Sequence, residues 1–203
     1  MILVTPPPAQ VSAVAAAVAP AAARLSALGL LRRADLGSGW ALSLVAPRHA
    51  PPFACRARTN AAAASASATW SQGGGAVFAS GTSYGFIGAS AARRAWAQTG
   101  ASAMRRCLKQ TLAAGSTRRV RLTATAVTVL GPPRLPGAAK VRRYRVSGTA
   151  TGAGQQVPVS LDVVLLGSGT WIAQDEFSAL VATPPAATEV RAARSQIRRF
   201  VAR

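Results

Sequence analysis

The chain has 203 residues, half of them apolar, enough to bury one core and to make a single domain the expectation. Only 14% of residues are charged, yet 24 Lys and Arg stand against 5 Asp and Glu, for a net charge of +19. One histidine and two cysteines exclude a usual four-ligand zinc site, and Pro and Arg interrupt every stretch that could span a membrane as a helix.

A balance this basic points to anionic neighbours: nucleic acid, an acidic polymer or an anionic membrane surface. The usage argues against nucleic acid. Lys occurs only at Lys109 and Lys140, and Arg is scattered in doublets, a pattern that a GC-rich coding sequence produces without selection for binding.

Met1 to Ala23 is Pro- and Ala-rich, with an apolar stretch from Val11 to Val18 and small residues at Ala21-Ala22-Ala23 that suit an A-x-A cleavage site. No Lys or Arg precedes the apolar stretch, so residues 1–24 read as a partial signal peptide or a Pro/Ala linker. Residues 25–203 form the single expected domain.

Leu25, Leu28 and Leu31 recur at helical spacing, and Gly37 and Gly39 stop that helix before Trp40 turns back into the core. Ala41 to Val45 suits a short strand, and Pro47 to Pro52, which holds His49, a loop. Ala68 to Gln72 and Ala76 to Phe86 suit two strands around Gly73-Gly74-Gly75, anchored by Trp70, Phe78, Tyr84 and Phe86. A helical region follows from Ser90 to Ala114, divided at Gly100.

Arg119 to Phe177 then reads as an antiparallel meander. Its central hairpin predicts Arg145 opposite Asp162 and Ser147 opposite Ser160, because a one-residue slip would put Asp162 on the apolar face. The turn Gly167-Ser168-Gly169 predicts Asp162 opposite Gln174 and leaves Asp175 as a misfit, at the sheet margin or beside an Arg. After Thr183-Pro184-Pro185 comes a helix, Ala187 to Val201, with an apolar stripe of Val190, Ala193, Ile197, Phe200 and Val201. Runs of strands separated by helices define an α+β fold, a mainly antiparallel meander with N-terminal, central and C-terminal helices packed on it.

No catalytic constellation emerges. His49 has no nucleophile-elbow serine to serve, and Asp175-Glu176 point to opposite faces of a strand. The candidate ligand-binding residues are Arg119, Arg121, Arg143 and Arg145, whose forked guanidinium groups suit carboxylate or phosphate. The competing reading is a solvated face on which Asp162 partly neutralises Arg145. Cys55 and Cys107 form either a disulfide or two buried thiols; the even count in an exported chain favours the disulfide, which would contribute about 4 kcal/mol.

The helix ending in ADLGSGW (Ala34 to Trp40), then Cys55, an aromatic hairpin, a helical region with Cys107, a meander and a closing amphipathic helix together resemble a family of exported actinobacterial sensor-like domains. These are the extracellular domains of PknH-type kinases and related lipoproteins. The resemblance implies a non-enzymatic domain with an antiparallel sheet, flanking helices and a cleft for an extracellular ligand. The expectation is therefore an extracytoplasmic binding or sensor domain without catalytic residues, cofactor or metal. Its partner would be an anionic polymer or membrane surface. The alternative is a basic nucleic-acid-binding protein of the cytoplasm.

Overall fold

A computed structural model describes residues 20–42, 64–114, 116–135 and 139–201. The expected order of elements holds. Helices α1 (Pro20–Gly29) and α2 (Arg33–Leu36) precede strands β1 (Ala41–Leu42), β2 (Ala64–Gln72) and β3 (Val77–Gly85). A helical pair follows, α3 (Ala89–Ala97) and α4 (Ala101–Ala114). Strands β4 (Arg121–Leu130), β5 (Lys140–Gly152), β6 (Gln155–Ser168) and β7 (Trp171–Leu180) lead to α5 (Ala186–Val201). The seven strands make one antiparallel sheet in the order β1-β2-β3-β7-β6-β5-β4. The fold is α+β. Most of the expected signal segment, the His49 loop and Cys55 lie outside the described residues.

Pro20 opens α1, where its missing N–H costs nothing, so Ala21 to Ala23 belong to the helix's first turns. The single helix expected over Leu25 to Ala34 is instead two, divided after Gly29. A Cβ at Gly29 would sit 1.9 Å from Trp171 Nε1, so the tight approach to the sheet ends α1 there. β3 receives α1 through a row of small residues on one face, Ala79, Gly81, Ser83 and Gly85. A Cβ on Gly85 would lie 2.1 Å from the Ala22 carbonyl oxygen, so only glycine lets α1 lie this close.

The β5–β6 hairpin has the expected register, with Arg145 opposite Asp162 and Ser147 opposite Ser160. Its two-residue turn, Ala153-Gly154, has φ of 49° and 75°, the left-handed pair that matches the twist of the strands. The β6–β7 register differs from expectation by three residues. The ladder runs on through Gly167 and Ser168, so Asp162 faces Phe177, and Leu165 faces Gln174. An odd shift exchanges the faces of β7, and it puts Asp175 under a helix and not at the margin. The cause is that both faces of β6 are buried: Leu161 to Leu166 is apolar on both sides apart from Asp162, so alternation carries no register there.

Helices cover both faces. On one, α1, α2 and α5 bury Leu31, Leu36, Ala192, Ala193 and Ile197 with Val164, Leu166, Trp171, Ala173 and Phe177. On the other, Met104, Leu108 and Leu112 of α4 pack on Tyr144, Val146, Val159, Leu161, Val163 and Leu165. α3 extends that layer over Tyr84, Phe86 and Ile172.

Candidate anion-binding surface

All five acidic residues of the chain, Asp35, Asp162, Asp175, Glu176 and Glu189, are buried, the most accessible being Glu176 at 7%. Three hold arginines. Arg199 grips Asp35 with two nitrogens, at 2.6 and 3.0 Å, and donates to the carbonyls of Leu28 and Leu30. Arg145 grips Asp162 in the same forked way, at 2.7 and 2.5 Å. Arg143 reaches Glu189 of α5 at 2.5 Å. Asp175 accepts from Gln196 Nε2 at 3.1 Å, and Glu176 from Gln174 Nε2 at 2.6 Å.

Burial disfavours ionisation where compensation is incomplete. It pushes Asp175 up to about 7, against the hydrogen bond from Gln196. Glu189 also rises to about 7, through burial and then its hydrogen bond with Asp162, against the pull of Arg143. Burial also raises Tyr84, helped by the charge of Glu176.

The four candidate arginines do not form one site. Arg143 and Arg145 lie half-buried beside Asp162 and Glu189, beneath α5, on the face read from the sequence as polar. Arg119 and Arg121 are exposed at the far end of the sheet, before and at the start of β4. Arg199, a member of one of the scattered arginine doublets, is the anchor between α5 and α2. Cys107 is buried in α4, its sulfur 3.9 Å from Thr111 Oγ1. The Cys55–Cys107 pairing falls partly outside the described residues.

What this leaves on the surface is of one sign. Among the described residues every exposed charged side chain is Lys or Arg, including Arg93-Arg94, Arg105-Arg106, Lys109, Arg118, Arg119, Arg121 and Lys140. Such a surface carries a long-range positive potential, with guanidinium forks available for carboxylates and phosphates. No helix among the described residues is long and apolar enough to cross a membrane.

No family model matches the chain, and no curated protein matches it. Among solved structures, the extracellular domain of PknH from Mycobacterium tuberculosis matches 88% of this chain and 95% of its own length, with a TM-score of 0.51 and 16% identity. The two share a fold. That likeness bears out the α+β architecture and, as a likeness of fold, the resemblance to the extracellular domains of PknH-type kinases.

Proposed function

We propose that this chain is a non-enzymatic, extracytoplasmic binding domain of the sensor type, and that its ligand is anionic. The observation that carries the reading is the burial of all five carboxylates, which leaves the exposed cations without compensating charge. The fold shared with an extracellular domain supports the compartment. A Cys55–Cys107 disulfide belongs to the same proposal. In its support, Cys107 is buried in α4 and Cys55 is the chain's one other cysteine.

Two measurements test this. Intact-mass spectrometry of protein from its host, alkylated with and without reduction, should show a processed chain with one disulfide; an unprocessed chain with two free thiols overturns the extracytoplasmic reading. Co-sedimentation with anionic phospholipid vesicles and titration with inorganic polyphosphate should both show binding that weakens with salt. If neither is retained at low salt while RNA is, the cytoplasmic nucleic-acid reading replaces this one.

A further inference from the structure

We propose that the groove between the C-terminal half of α4 and the start of β4 binds a single-chain anionic amphiphile, a phosphate or carboxylate head on an apolar tail. The proposal rests on the reading of an anionic ligand and gives it a place and a chemical class. The groove has a volume of about 420 Å³, within the range of small-molecule sites. Its lining includes Lys109, Gln110 and Ala113 from the helix and Arg121, Leu122 and Ala124 from the strand.

Three features fit that ligand. Lys109 and Arg121 come from different elements, and among the described residues no ion pair engages either of them. Both border the groove, a point charge from the helix and a forked donor from the edge strand. The lining also has apolar members: Leu122 and Ala124 border the buried cluster that includes Leu108 and Leu112. Finally, the two walls are tied together. Ser116 Oγ accepts the Leu122 N–H at 2.9 Å and donates to the Ala113 carbonyl at 2.7 Å, so the mouth is held open without a ligand. A bare phosphate would leave the apolar lining unused, and the lining has no aromatic ring for stacking a base.

The test is titration of the full chain with octyl phosphate below its micelle concentration, followed by calorimetry, beside inorganic phosphate and octanol. Octyl phosphate should bind saturably and both controls much more weakly. Lys109→Glu/Arg121→Glu should weaken it about tenfold or more. Ala113→Trp, which fills the groove and leaves every charge in place, should do the same, with thermal melts confirming that each variant is folded. Equal binding of inorganic phosphate, or undiminished binding by folded Ala113→Trp, overturns the site. If the unaltered protein sediments with anionic vesicles yet ignores octyl phosphate, the groove proposal falls and the general reading stands. If it binds neither octyl phosphate, anionic vesicles nor polyphosphate, both fall.

Discussion

Beneath α4 the sheet offers Tyr144, Val146, Leu161, Val163 and Leu165 to Met104, Leu108 and Leu112. Beneath α5 the other face offers Arg143, Arg145, Asp162 and Asp175 to Glu189 and Gln196, with Asp35 and Arg199 alongside. Both layers are buried, but they hold their helices differently. Hydrocarbon contacts are additive and forgiving of small shifts, whereas a buried ion pair offsets its desolvation only when both partners are in place. The α5 layer therefore adds the geometry of its ion pairs to an apolar cluster, whereas the α4 layer is held mainly by area. By burying all five carboxylates, four in or beside the α5 layer and Glu176 on the opposite face of the sheet, the chain also keeps its surface cationic.

The largest effect expected from breaking the ionic layer comes from Arg199→Ala. It strands the Asp35 carboxylate in the interior and removes the donors to Leu28 and Leu30, for a loss of about 3–5 kcal/mol in denaturant unfolding. Arg199→Met together with Asp35→Leu should recover much of that loss, since a hydrophobic replacement of both charges removes the stranded group. In the apolar layer, Leu165→Ala should cost somewhat less, about 2–4 kcal/mol, through lost transfer energy and a residual cavity. No second substitution at a distance should rescue it. If the Asp35/Arg199 double variant is no better than Arg199→Ala, the distinction between the layers fails.

Titration sharpens the comparison further. Asp175 and Glu189 both have folded-state pKa values raised to about 7 from ordinary carboxylate values. A raised acid binds its proton more tightly folded than unfolded, so its stabilisation is complete below about pH 4 and is lost as pH rises through about 7. Asp35, Glu176, Arg199 and Gln196 surround Asp175; Asp162, Arg143 and Arg145 surround Glu189. The midpoint of thermal unfolding at fixed ionic strength should fall on going from pH 5 to pH 7.5, by on the order of 5 °C. Asp175→Asn should flatten that slope. A midpoint that rises over the same interval would show that these carboxylates are ionised in the folded state.

How much of this was legible in the sequence follows from which chemistry wrote each part. The β5–β6 register could be read because Arg145, Ser147, Ser160 and Asp162 alternate with apolar residues around a two-residue turn. The β6–β7 register could not, because Val163, Val164, Leu165 and Leu166 bury on both sides and mark neither face. Arg143 and Arg145 looked solvent-facing for a related reason: a strand pattern separates polar from apolar, but an acid 46 residues away on α5 decides whether the polar side is wet. Signals did exist. Glu189, Gln196 and Arg199 continue the inward stripe of α5, and Asp175 already stood out as a misfit. The groove beside Arg121 gave no sign, since it depends on where α4 comes to rest against β4.

The smallest expected effect belongs to a polar contact between the apolar layer and the turn above it. Tyr144 donates its hydroxyl to the Thr99 carbonyl at 2.6 Å, in the turn between α3 and α4. That turn is held independently: Arg142 donates to the Trp96 carbonyl and to Thr99 Oγ1, and its guanidinium lies 4.9 Å from the centre of the Trp96 ring. Tyr144→Phe keeps the ring and its packing, loses one neutral hydrogen bond and leaves one carbonyl to relax, so it should cost about 1 kcal/mol. Chemical denaturation of this variant beside Arg199→Ala is the direct comparison. A loss near 1 kcal/mol means the α4 layer is held by its hydrocarbon area; a loss as large as that of Arg199→Ala would mean that a single polar contact organises this layer too, and that the two faces are built alike.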